Sequence, residues 1–210
     1  MYTIQWYGHS CFKILKDHYS IVIDPYKDGS VDGLPHLRIE ANEVLCSHQH
    51  ADHHGTECVK RIPSEEDSPW NITKLPSYHD HDQGEKRGMN TIHILEDGQL
   101  KIVHMGDIGC ALDANQTMHL MHTDIMMIPI GGFYTISAAE AKEIVQTLKP
   151  KMVIPMHYRK GDIGYRVLST IEDYLSLCND VVIYPEGKLV VQDDIRPQTA
   201  VFSNYFRGVQ

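Results

Sequence analysis

Over roughly the first half of the chain, apolar positions come in short runs with a period near two. Residues 3–15 (TIQWYGHSCFKIL) alternate loosely and predict one strand. The β-branched run 21–23, closed by Asp24-Pro25, predicts a second. A short apolar run at 44–46 leads directly into the stretch SHQHADHHG, so a strand is expected to end near Ser47. The pattern continues through ITKLPSYHD and MNTIHILEDGQLKIVHMGD, where Asp97-Gly98 between two alternating runs signals a hairpin. The polar segment PSEEDSP, residues 63–69, reads as an exposed loop.

The period then changes. TDIMMIPIGG reads as a buried strand, SAAEAKEIVQTLKP as a helix and KMVIPMHY as another strand. Ser137 and Glu140 form a capping box at the helix start, and Pro150 stops it. Such a strand–helix–strand unit is expected to be parallel. YRVLSTIEDYLSLC places Val167, Leu168, Ile171, Tyr174, Leu175 and Cys178 on one helical face, predicting a second helix. DVVIYPEGKLVV closes with β structure around Glu186-Gly187. This order predicts an α/β fold of two sheets with helices packed outside, built as a single domain over residues 1–210.

Composition narrows the function classes. The chain has 210 residues, 42% hydrophobic and 22% charged, an ordinary globular balance. A net charge of -9 gives a nucleic-acid partner no general electrostatic help. No stretch is apolar enough to span a membrane, and the first residues lack the pattern of an export signal. Five cysteines without a C-x-x-C pair fit a reducing compartment, so a cytoplasmic location is expected. Homo-oligomerisation is left open.

The unusual number is 14 histidines, four of them within nine residues. After a strand, His48 and His50 lie two apart and point to one side. Asp52 and His53 follow where the chain turns. Imidazole and carboxylate are zinc donors, and manganese, iron or nickel suit the same set. One loop cannot complete two coordination shells, so further ligands are expected at strand ends: His79 in PSYHD, Asp107 in VHMGDIG and His157 in VIPMHY.

In this order and spacing, H-x-H-x-D-H followed by a single His, an Asp preceded by Gly, and a late His resembles the metallo-β-lactamase fold superfamily. The segments WYGHSCFKI, VIDPY, SHQHADHHG, YHDHDQGEKRGMNTI, HMGDIG, IPIGGFYTIS and VIPMHY resemble its small Zn-dependent hydrolase branch, which also contains the ascorbate-6-phosphate lactonases. The resemblance implies a four-layer αβ/βα sandwich with a binuclear site at one edge. His48, His50 and His79 would hold one divalent ion, most simply Zn2+. Asp52, His53 and His157 would hold the other, and Asp107 would bridge them. Asp52 would also carry catalytic duty, orienting the attacking water or taking its proton. Asp24 corresponds to an early Asp that supports the ligand loop without binding metal. The implied activity is metal-dependent hydrolysis of an ester, lactone or phosphoester in a small-molecule substrate. An RNA-processing nuclease of the same fold and a non-catalytic metal-binding protein are the rival readings.

Other residues are weighed against this set. His54 adjoins a ligand, but successive residues at a helix start diverge by about 100°, so it reads as a bystander. His81 falls in a loop and is left out. His104 and His9 read as structural or as hydrogen-bonding neighbours of the ligands. Cys46 and Cys110 read as small buried hydrophobes. Tyr134 and Tyr158 are candidates for the pocket wall, with plain packing as the alternative. Lys86, Arg87, Arg159 and Lys160 are the cations that could meet an anionic substrate.

Overall fold

A computed structural model describes residues 1–191 and 194–207. The chain runs β1 (Tyr2–Gly8), β2 (Cys11–Lys16), β3 (Tyr19–Ile23), β4 (Ile39–Ala41), β5 (Glu43–Leu45), β6 (Val59–Arg61), β7 (Asn71–Tyr78), β8 (Met89–Glu96) and β9 (Lys101–His104). It continues as α1 (Ala114–Leu120), β10 (Ile125–Pro129), α2 (Ala138–Leu148), β11 (Met152–Met156), α3 (Ile171–Leu175), β12 (Val181–Tyr184), β13 (Lys188–Val191) and β14 (Gln198–Phe202). One sheet has the order β13-β1-β2-β3-β5 and the other β12-β14-β11-β10-β9-β8-β7, with β4 and β6 as a separate pair. This is the mixed α/β sandwich expected from the sequence.

The inner faces of the two sheets share one core. Ile4, Phe12, Ile14, Ile21 and Ile23 from the first sheet join Ile92, Ile102, Met126, Ile128 and Ile154 from the second. Strand alternation sends the intervening residues Cys11 and Val22 to the opposite face, where they pack with Tyr26, Val31, Leu37 and Val59. Both faces of the first sheet are therefore covered around β2 and β3, while Lys188 and Val190 of β13 stay exposed. The expected outer helical layer is replaced there: no described residue before Ala114 is α-helical, and loops with the β4–β6 ribbon form the cover.

Three further expectations need correction. Residues 3–15 form two antiparallel strands, because Gly8 and His9 both take positive φ (110° and 52°) and reverse the chain. The helix predicted across YRVLSTIEDYLSLC shrinks to Ile171–Leu175. Its periodic residues Leu168, Ile171 and Tyr174 are buried, but the segment before it is pinned as loop, Arg159 and Ser169 donating to Ser169 and Gly131 carbonyls. Cys46 and Cys110 are each partly exposed rather than buried. The hairpin at Asp97-Gly98 forms as expected, and β10 and β11 pair in parallel across α2. Ser137 and Glu140 close their capping box in both directions. Among the described residues no helix is long and apolar enough to cross a membrane.

Candidate metal centre

The residues singled out in the sequence lie on loops at one edge of the sandwich. His48, His50, Asp52 and His53 follow β5, His79 follows β7, Asp107 follows β9 and His157 follows β11. Asp107 occupies the middle. Its Oδ2 is 3.0 Å from His157 Nε2, 3.1 Å from His53 Nε2, 3.4 Å from His79 Nε2 and 3.9 Å from His48 Nε2. On one flank, donor atoms of His48, His50 and His79 lie within 4.8 Å of one another; on the other, those of His9, Asp52, His53 and His157 do. His50 is the exposed member, while His53, His79, Asp107 and His157 are almost fully buried.

Asp24 organises the loop from beneath. Its Oδ1 accepts the Ser47 amide (2.6 Å), and its Oδ2 accepts the Ser47 hydroxyl (2.7 Å) and His53 Nδ1–H (2.8 Å). With that hydroxyl proton committed, His48 Nδ1–H donates to Ser47 Oγ at 2.9 Å. One buried carboxylate thus fixes the tautomers of two imidazoles, directly for His53 and through Ser47 for His48. Both Nε2 atoms are left facing Asp107. Burial opposes ionisation of Asp24, yet the neighbouring His53, followed by His104 and His48, holds it well below the usual carboxylate range. Burial, with His53 nearby, lowers His48 to about 3, so that ring is neutral at ordinary pH.

The loops also clasp one another. Asp107 N–H donates to Asn90 Oδ1 at 2.8 Å, while Asn90 Nδ2 donates to the Met105 carbonyl at 2.9 Å. Gly109 packs so tightly that a Cβ there would overlap the His79 backbone, and a Cβ on Gly131 would overlap the His157 carbonyl. His9 Nε2–H donates to Asp52 Oδ2 at 3.2 Å, and its ring centroid is 4.0 Å from that of His157. His104 donates through Nε2 to the Ser10 carbonyl at 2.9 Å. His9 thus bonds an expected ligand and itself lies in a donor group, whereas His104 bonds the Ser10 backbone and no expected ligand.

The donor chemistry fits divalent cations. Nε2 of His48, His53 and His157 and Oδ1 of Asp107 are buried without a hydrogen-bond partner among the described residues. Burying so many unpaired polar atoms in one spot costs about 1–3 kcal/mol each unless something else satisfies them, and imidazole nitrogen with carboxylate oxygen is a zinc-type set.

A cavity of about 260 Å³ opens above these donors, lined by His50, Asp52, His79, Arg87, Asp107, Tyr134, His157 and Tyr165. Of the weighed tyrosines, Tyr134 reaches it. Tyr158 does not: it is buried against Trp6, with centroids 6.1 Å apart. Of the four cations only Arg87 lines it. Lys86 is paired with Asp82, Arg159 donates to the Gly161 carbonyl and Lys160 to the Ser203 carbonyl. His81 is turned outward toward Glu140, 3.5 Å away, and His54 belongs to neither donor group. Tyr165 was not anticipated. It sits inside the segment predicted as helix, and its hydroxyl donates to the Ser30 carbonyl (2.9 Å), 135 residues away in the chain. Burial, aided by the negative charge of Asp52, raises its pKa and keeps the phenol protonated.

Known proteins resemble this chain over most of its length. A metal-dependent hydrolase of Archaeoglobus fulgidus is 28% identical over an alignment covering 74% of this chain and 82% of that protein. One from Thermococcus onnurineus is 28% identical, covering 90% and 99%. A crystal structure from Thermotoga maritima, described as a candidate Zn-dependent hydrolase of the metallo-β-lactamase superfamily, superposes with a TM-score of 0.75 at 29% identity, covering 96% of this chain and 98% of that one. The family profile described as Beta-lactamase superfamily domain matches residues 3–157, a span that includes all eight clustered donors, and the chain belongs to that superfamily.

Proposed function

We propose that the protein is a metal-dependent hydrolase with two divalent ions, zinc in the simplest case, acting on an ester, lactone or phosphoester in a small molecule. The observation that carries this reading is the position of Asp107, whose Oδ2 lies 3.0–3.9 Å from four histidine nitrogens drawn from both flanks of the site. His48, His50 and His79 would hold one ion, Asp52, His53 and His157 the other, and Asp107 would join them. The relatives named as metal-dependent hydrolases support the same class of activity.

Such an ion pair supplies an acidified water and an electrophile for the leaving oxygen. The chain supplies the rest. Asp52 lines the cavity and its Oδ2 is steadied by His9, so the carboxylate can orient a water and take its proton. Burial disfavours its charge, but the neighbouring His53 and His9 keep it ionised. Tyr165, held protonated at the rim, is a donor for a developing oxyanion once its hydroxyl turns from the Ser30 carbonyl. A cavity of about 260 Å³ falls below the ordinary range for drug-sized ligands and favours a small substrate over a nucleic acid.

The test is a metal-stripped preparation reloaded with zinc or manganese and offered ester, lactone and phosphodiester panels. Turnover of one class, abolished by chelator and restored by metal at a stoichiometry of two, is expected. Metal uptake with silence on every panel would favour the non-catalytic reading instead.

A further inference from the structure

Arg87 has an unusual setting for a cation at the rim of a cavity. It is half-buried, its guanidinium carbon lies 4.1 Å from the centroid of the Tyr134 ring, and no carboxylate among the described residues pairs with it. Its neighbour Lys86 is exposed and already paired with Asp82. Among the described residues lining the cavity, Arg87 is the sole lysine or arginine.

The loop that carries it is held rigidly. Asp80, immediately after His79, accepts four backbone N–H groups: Asp82 (2.8 Å) and Gly84 (2.9 Å) on Oδ1, Lys86 (3.1 Å) and Arg87 (2.7 Å) on Oδ2. Gly88 closes the loop by donating to the Gly84 carbonyl at 2.8 Å and accepting His79 N–H at 3.1 Å. The backbone of Arg87 is thus tied to that of His79, and so to the metal donors. A guanidinium over an aromatic ring keeps its forked N–H edge for a planar or tetrahedral oxyanion.

We propose that Arg87, seated over Tyr134, binds an oxyanion on the substrate remote from the bond that is cleaved. The substrate is then a small ester bearing a separate carboxylate or phosphate group. Water adds across the ester linkage, releasing an acid and an alcohol, and the oxyanion at Arg87 leaves chemically unchanged. The identity of the cleaved bond rests on the hydrolase reading; the anion site itself does not.

The experiment therefore has two parts. In the metal-stripped protein, the backbone amide resonances of residue 87 and of Tyr134, present in every variant, are followed while benzoate, phenyl phosphate or neutral benzyl alcohol is added. Saturable shifts with one or both anions, weakened at least tenfold in Arg87→Met and partly recovered in Arg87→Lys, are expected. The better anion tells carboxylate from phosphate. Shifts with neither anion, or equal affinity in Arg87→Met, would overturn the proposal. In the metal-loaded protein, the ratio of kcat/KM for an anionic ester to that for its uncharged analogue should fall at least 30-fold in Arg87→Met, and an unchanged ratio would also overturn it. Anion binding through Arg87 without turnover of any ester would remove the hydrolase reading and leave the anion site standing.

Discussion

Replacing Asp24 by Asn changes one atom of a residue that is expected to touch neither metal nor substrate, yet it should weaken both metal positions. Asp24 is fully buried with a left-handed backbone (φ 50°). Asn tolerates that conformation well, so the exchange isolates the chemistry of the side chain. With the amide oxygen kept on the Ser47 N–H, an NH2 group replaces Oδ2 and meets two donors, the Ser47 hydroxyl and His53 Nδ1–H. The conflict is relieved if His53 offers Nδ1 as an acceptor and moves its proton to Nε2. Ser47 Oγ then accepts from the amide and gives its own proton to His48 Nδ1, which places the His48 proton on Nε2 as well. Both metal-facing lone pairs are lost. Disturbing an outer partner of a ligating histidine costs about 10–100-fold in affinity, or roughly 1.4–2.8 kcal/mol. Exchanging charge-assisted for neutral hydrogen bonds should also destabilise the metal-free fold by about 1–3 kcal/mol. Ser47→Ala provides the contrast, since it removes the link to His48 while leaving His53 on Asp24. Zinc affinities from competition with a chromophoric chelator should show both sites weakened in Asp24→Asn and mainly one in Ser47→Ala. Asp24→Asn within threefold of wild type at both sites, or the two variants behaving alike, would refute the relay.

Gly109→Ala forces a methyl against the His79 backbone, so a stability loss of about 1–3 kcal/mol by urea denaturation is expected, together with weaker metal binding on the His48 flank; an unchanged zinc isotherm would contradict it. Asp97, whose carboxylate sits against Lys16 (2.6 Å) and Tyr2 Oη (2.6 Å), reports through pH. Burial opposes its charge, but Lys16 and then Tyr2 bring it down to about 2. A folded-state pKa below the unfolded one means stability that is present above about pH 4 and lost as pH falls through 2. Asp97→Asn should therefore cost of the order of 1 kcal/mol at pH 6, and its gap from wild type in metal-free urea melts should narrow steadily below pH 4; a constant gap would count against the ion pair.

What the sequence made legible was mostly local. The capping box at Ser137 and Glu140 and the turn at Asp97-Gly98 depend on neighbours within a few residues, and both form. The strand ends that bring His79, Asp107 and His157 together were readable because apolar runs stop just before each of them. The missing pieces depend on distant chain. The helix expected from residue 165 has the right apolar spacing, but Tyr165 is held by Ser30 and Ser169 by Gly131, contacts no local period records. Nothing local marks Asn90, and only the arrival of the chain after β9 makes it the acceptor for Asp107 N–H. The outer face of the first sheet shows the same limit. Val22 and Cys11 signal a second buried side, but nothing in their spacing says that loops and a short ribbon would cover it.

The backbone-to-backbone clasp around the donors also divides the rim by tolerance to change. At Gly109 and Gly131 any added side chain moves a neighbouring loop, so variation there is paid for in metal geometry. Phe133 projects beside the same rim into solvent, where a different side chain meets mostly space. Descendants of this sequence could exchange that exposed position while keeping an unaltered metal centre, which is the division of labour a scaffold needs in order to be evolvable.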